Sequence, residues 1–327
     1  MKITYSESLQ LRGLAILMMV WLHCFNKDVT GLTYTSLLPS VGGATVPFLL
    51  TRIAQICVSL YCFLSGYGLY SKYPYAKNYT ANKAFTLTKQ YWFVLLFFCV
   101  LSYFMGSSQG YSFHDIMGNF LGYRTTWNST LWFMLPYVLL LMASKWIFVF
   151  INRQKWYVVI PIIIMVWITA MWMLKSQKLG VIEINVVIKN ILQAFRLLLP
   201  FCIGAYCKKY DYLEDNTARF KRIFILISIV LILSRFLVWN HFTLPICCVG
   251  FVYLYHCMIV NEKVQKFFSF FGKKSLFLWF CHAYFVYYYL KEYTFAVKYA
   301  ILIYTVVITY SLLSTLFLEF VYKKVRI

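Results

Sequence analysis

The strongest constraint on this chain is a succession of apolar stretches long enough to cross a bilayer. A helix rises about 1.5 Å per residue and the hydrocarbon core is about 30 Å thick, so about 20 mostly apolar residues make one crossing. Ten stretches of the 327-residue sequence reach or approach that length: 9–26, 46–70, 86–106, 131–151, 157–175, 186–206, 222–240, 242–260, 275–290 and 297–322. The ninth is short, and the turn between the seventh and eighth, around Asn240 and His241, is tight. Composition points the same way. The chain is 62% hydrophobic and only 13% charged, against about 25% charged in a soluble domain, which argues against a soluble enzyme. The predicted fold is all-α, a polytopic integral membrane protein of about ten transmembrane helices. It forms a single domain over 1–327, because no connecting segment is long enough to hold a second one.

The charges supply the topology. There are 31 lysines and arginines against 10 acidic residues, a formal net charge of +21. In a soluble protein that excess would suggest nucleic acid, but there is too little polar sequence here for a basic groove and no nucleic-acid-binding motif. Membrane proteins concentrate such residues in cytoplasmic loops. With the N-terminus inside, twenty fall in cytoplasmic segments: Lys2, four over 72–89, three over 145–155, five over 208–222, four over 263–274 and three over 323–326. Seven fall outside: Lys27, Arg124, Lys175, Lys178, Lys189, Lys291 and Lys298. This predicts a multi-pass protein of the cell membrane with both termini cytoplasmic and an even number of spans. No A-x-A-like site follows the first apolar stretch, so that span is expected to be retained. The ten cysteines lie mostly inside apolar runs without a CxxC pair and read as small buried residues.

An ionisable residue inside a span costs at least about 2.5–3.5 kcal/mol on the insertion scale and is a functional candidate by default. The first span holds two, Arg12 and His23, in LRGLAILMMVWLHCF. Eleven residues at 100° each make three turns plus about 20°, so both side chains share one helix face, about 16 Å apart along the axis. The plainer alternative is that Arg12 snorkels to the inner headgroups while His23 caps the helix at the outer interface. His23 also opens a loose H-x-x-x-x-D pattern with Asp28. Arg52, Arg196, Arg235 and Glu319 are further charges within or at the ends of spans. His114, His241 and His256 have no recognisable partner. There is no His/Asp/Glu cluster at metal-ligand spacing and no Gly-rich phosphate loop, so neither metal catalysis nor ATP-driven transport is expected.

Four segments resemble the membrane acyltransferase-3 family, in the family's order. Arg12 to His23 is similar to its first-span motif, a basic residue followed by a histidine. Val58-Ser59-Leu60-Tyr61-Cys62-Phe63-Leu64-Ser65-Gly66-Tyr67 resembles its F-x-L-S-G-[YF] segment. Leu131-Trp132-Phe133-Met134 resembles its L-W-F-L, and Ser275-Leu276-Phe277-Leu278-Trp279-Phe280-Cys281-His282 its late S-x-x-[IL]-Y-L-x-H. The resemblance runs from residue 12 to 282. It implies an O-acyltransferase that moves an acetyl or other acyl group from cytoplasmic acetyl-CoA, the donor co-substrate, to a hydroxyl of a cell-surface polysaccharide or lipid-linked saccharide. The family histidine maps to His23 and the family arginine to Arg12. The family's R-x-x-R after the second span is missing, and that loop offers only Lys72, Lys77, Lys83 and Lys89. Lysine binds phosphate as a point charge, without arginine's bidentate fork.

Ester formation needs a base for the hydroxyl proton, a group to stabilise the oxyanion and a place for CoA. His23 is the first candidate base. His282 is a second catalytic candidate, as base, oxyanion donor or acyl relay, and otherwise a core histidine. Trp132 and Phe133 could form an aromatic wall against a sugar ring, with Ser65 as a further substrate contact; core packing is the commoner use of all three. Arg12, Lys83 and Lys89 are the expected contacts to the anionic donor. The expected partners are a glycan acceptor and membrane lipids, not nucleic acid. The alternative function is a flippase or transporter of a lipid-linked saccharide. Such a protein tends to carry two matching halves with broken helices, which this sequence lacks.

Overall fold

The structure, a computed structural model, describes residues 2–26, 32–104, 112–210, 218–237, 240–258 and 260–325. They are helical, with no strand among the described residues and only two isolated bridges. In chain order the helices are α1 (Tyr5–Phe25), α2 (Val46–Ala54), α3 (Ile56–Tyr70), α4 (Tyr79–Phe104), α5 (Phe113–Leu121), α6 (Met134–Arg153), α7 (Trp156–Lys178), α8 (Val186–Tyr210), α9 (Ala218–Leu237), α10 (Leu244–Cys257), α11 (Glu262–Ala283), α12 (Lys291–Ala296) and α13 (Ala300–Val325). Short polar side chains start many of them. Thr4 and Glu7 form a reciprocal capping box on α1, Ser112 caps α5, and Asn261 caps α11.

Among the described residues seven helical stretches are long and apolar enough to cross a membrane: Tyr5–Phe25, Val46–Tyr70, Tyr79–Phe104, Ser129–Arg153, Trp156–Lys178, Val186–Tyr210 and Ala300–Val325. They correspond to seven of the ten expected spans. The other three are helices of a different kind. The α9 sequence carries Arg219, Lys221, Arg222 and Arg235; α10 with its lead-in turn is only His241–Cys257; and α11 begins at Glu262, well before position 275. The charged start of α11 reads as a loop by hydropathy. It is helical because Asn261 accepts from the Lys263 N–H at 2.8 Å and Glu262 pairs with Lys266 one turn on at 2.7 Å. Similarly, α4 begins at Tyr79 rather than 86, which puts Lys83 on a helix instead of in a loop and Lys89 well inside that helix rather than beside its start.

By contact the described residues divide into two compact units, 1–64 with 210–326, and 65–209. In the first, α1 is central. It packs along α11 and against α2, α10 and α13, while α9 packs on α10 and α2. Gly13 abuts Phe268 and Gly272 abuts Leu9, whereas His23 meets His282, so α1 and α11 run parallel. Helix α13 runs the other way. Its Ala300 and Ile303 join the apolar cluster of Val20, Cys24 and Phe25, while its Glu319 pairs with Lys274 between α11 and α13. The first and last helices of the chain are therefore antiparallel.

The α1–α11 contact is closed by backbone. A Cβ on Gly13 would stand 2.8 Å from the Phe268 carbonyl carbon, and one on Gly272 would stand 2.7 Å from that of Leu9, with the carbonyl oxygens nearer still. Small residues at such crossings let helices approach in lipid. Gly272→Ala is expected to cost about 1–3 kcal/mol through overpacking, read as a lowered unfolding temperature of the purified protein.

Arg235 is fully buried and is satisfied by neutral groups. Its Nε donates to the Arg52 carbonyl at 3.2 Å, Nη1 to the Asn240 carbonyl and to Thr243 Oγ1 at 2.9 Å, and Nη2 to Gln55 Oε1 at 2.7 Å. One guanidinium thus ties the end of α2 to the Asn240–Thr243 turn between α9 and α10. Arg52 donates to the Phe236 carbonyl and lies 5.8 Å over the Phe48 ring.

In the second unit α6 packs on α4 and α7. Gly66 sits against the Phe201 backbone of α8, and Phe201 stacks on Phe148 at 5.7 Å. A polar turn precedes α6. Asn119 donates to the Asp115 carbonyl and Thr126 Oγ1 and accepts from the Trp127 N–H. Asn128 caps the 3-10 turn Ser129–Phe133.

Candidate active site

His23 sits on the last turn of α1 and His282 on the last turn of α11. Each lies ten residues beyond the glycine of its own helix at the backbone contact, so the parallel packing that brings Gly13 and Gly272 together also brings the two histidines level. His23 Nδ1 is 2.6 Å from His282 Nε2, with the rings 3° from parallel and 4.9 Å between centroids. His282 is fully buried and His23 half-buried. After Ala283 the α11 helix opens into a π-helical turn, Tyr284–Tyr288. That turn places Tyr287 where its hydroxyl donates to the His23 carbonyl at 2.8 Å, one of the carbonyls that a helix end leaves unpaired. Trp21 Nε1 donates to the Pro47 carbonyl at 3.0 Å, and the Tyr304 hydroxyl to that of Leu17 at 3.0 Å. The end of α1 is therefore held from three sides.

The geometry selects the tautomers. His282 Nδ1 lies 3.1 Å from the Leu278 carbonyl and 2.9 Å from that of Trp279. Carbonyls only accept, so Nδ1 must carry a proton, and in the neutral ring Nε2 then holds the lone pair. That lone pair faces His23 Nδ1, which must be the donor. The lone pair of His23 is left on Nε2. Two backbone carbonyls, through His282, thus orient the His23 imidazole as a base, in the way a buried carboxylate orients the histidine of a hydrolase triad.

Arg12 is half-buried on the same helix, and its carbonyl accepts from Tyr61 at 3.2 Å. Because α1 is unbroken, Arg12 and His23 stay three turns apart, about 16 Å, and do not touch. Among the described residues no carboxylate forms an ion pair with Arg12. Asp28 lies outside the described residues. His256, left without a partner by the sequence, meets Glu7 at 2.7 Å.

The other expected contacts belong to the second unit. Trp132 is half-buried with the Arg196 guanidinium 5.3 Å over its ring. Its neighbour Phe133 is buried and stacks on Tyr137 at 5.3 Å, and the Tyr137 hydroxyl lies 3.0 Å from Ser65 Oγ. Ser65, Phe133 and Trp132 are thus joined in one row that also includes Tyr137 and Arg196. Tyr137 carries no signal in the sequence and Arg196 is there only an unexplained charge; nothing in the pattern links either to Trp132. Lys83 and Lys89 lie on α4, with Lys83 Nζ 5.9 Å over Tyr79 and Lys89 Nζ 5.2 Å over Phe85. Each ammonium stacks on a ring of its own helix.

Among the described residues no cluster of His, Cys, Asp and Glu is arranged to hold a metal ion. No curated protein and no solved structure matches the chain. The acyltransferase domain of the acyltransferase-3 family matches residues 9–320, nearly its whole length. With seven helices among the described residues long and apolar enough to cross a membrane, this chain belongs to the acyltransferase-3 family and is a multi-pass membrane acyltransferase.

Proposed function

We propose that the protein is an O-acyltransferase that carries an acetyl or other acyl group from cytoplasmic acetyl-CoA to a hydroxyl of a cell-surface polysaccharide or lipid-linked saccharide. The observation that carries this reading is the His23–His282 pair, an imidazole oriented as a base at one end of α1, with the Arg12 cation toward the other. In this reading Arg12 attracts the anionic donor, with the lysines of 72–89 adding to the field. The acceptor oxygen attacks the thioester carbonyl carbon as His23 Nε2 takes its proton. The new C–O bond forms, the C–S bond breaks, and the thiolate leaves with the electron pair. The charge on His23 is then shared through the Nδ1–H bond to His282, a charge-assisted hydrogen bond. His282 is a positioning residue here, and Trp132, Phe133 and Ser65 are substrate contacts.

The accompanying topology has ten spans, with α9, α10 and α11 crossing as well and both termini in the cytoplasm. Two observations support it. The cation tally alternates, and α1 and α13 run antiparallel, as an even number of crossings requires. The test is mass spectrometry of surface glycans from cells with and without the gene. Loss of an acyl-sized mass increment on deletion is expected, and its return with the restored gene. Identical glycan masses in both would overturn the reading.

A further inference from the structure

The segment after α1 carries a surface that the reaction does not use. Between Asp28 and Arg52 the sequence has no charged residue. Within it Val41 and Ala44 exchange both backbone hydrogen bonds, at 2.9 and 3.1 Å, around Gly42 and Gly43 at φ 59° and 77°. A two-residue turn with both central residues left-handed suits glycine at each position. Beside this turn three aliphatic side chains face outward: Leu37, Leu38 and Val41 are 71%, 58% and 61% exposed. Ser36 stiffens the tip by donating to the Leu38 carbonyl at 2.9 Å.

The base of the loop is fastened to the His23 end of the first unit. Thr35 donates to the Lys298 carbonyl at 2.7 Å and accepts from Ala300, and the Tyr34 hydroxyl lies 2.7 Å from Thr45 Oγ1. Tyr34 also packs on Phe25 at 5.0 Å, two residues from His23. The outward tip is thus held at the end of a membrane-crossing helix rather than swinging free. Tyr287, Tyr288, Tyr289 and Tyr299 lie at the same end, the residue type that concentrates at membrane–water interfaces.

We infer that the Leu37–Val41 tip docks on lipid, inserting into the headgroup–acyl boundary of the leaflet on the His23 side. The absence of charge over the whole segment, and its attachment beside the end of a membrane-crossing helix at the level of these tyrosines, favour a bilayer as the occupant.

The test places an environment-sensitive fluorophore on Ser40→Cys in the full-length protein, reconstituted in nanodiscs, with unlabelled-site protein as the blank for native cysteines. Blue-shifted emission, quenched by brominated lipid and not by aqueous iodide, is expected. Leu37→Asp with Leu38→Asp should return the emission to that of water. Water-like emission in the parent, or shielding that appears only as protein concentration rises and so reports a second copy, overturns lipid docking.

Discussion

His23→Ala is expected to lower the rate of acyl transfer by about 10²–10⁴-fold, the usual contribution of a positioned general base. The fold should survive. The side chain is only half-buried, and the Tyr287 bond is to the His23 backbone carbonyl, which alanine retains. Transfer measured on purified protein, with its unfolding temperature as control, separates the two effects. Activity unchanged in well-folded protein would remove His23 from the mechanism. The histidine behind it refines the test. His282→Gln keeps an oxygen that can accept from His23 Nδ1 and an amide that can donate to the Leu278 and Trp279 carbonyls; His282→Leu keeps neither. The glutamine variant should therefore retain more activity than the leucine variant. If the two are equally active, His282 is packing and not orientation.

Arg235→Leu is expected to have the largest effect on stability, about 3–5 kcal/mol, because several acceptors would lose their donor inside the protein. The carbonyls of Arg52 and Asn240, Gln55 Oε1 and Thr243 Oγ1 all accept from this one side chain. Arg235→Lys keeps the charge but cannot reach three directions from one plane, so it should recover only part of the loss. Urea or thermal unfolding in a fixed lipid or detergent environment reads both. A leucine variant as stable as the parent would mean that the turn between α9 and α10 holds without its arginine.

Much of the architecture was legible because lipid imposes a one-dimensional code. A chain that must satisfy its backbone inside hydrocarbon forms helices, and runs such as 131–151 and 157–175 announce themselves by apolar length alone. The same code fails where a helix carries its own charges. Glu262 to Lys274 looked like a connection, yet a cap, an i,i+4 ion pair and packing against α1 make it helix. Lys83, which hydropathy leaves outside the span, lies on α4 for the same reason. Arg235 illustrates a different limit. Hydropathy marks it as costly but cannot reveal that the distant Arg52 carbonyl and Gln55 side chain, with the nearby Asn240 turn, absorb its hydrogen bonds.

The site divides along the same line. The sequence by itself determined a helical membrane chain, its surplus of cations, and the shared face of Arg12 and His23, because each depends on composition or on residues near one another along the chain. Only the tertiary structure decided that His282, 259 positions from His23, would be its hydrogen-bond partner and that Leu278 and Trp279 would set its tautomer. That pairing depends on two helices meeting in parallel at Gly13 and Gly272. Nothing local encodes it, since a glycine or a histidine looks the same in sequence whatever it comes to face.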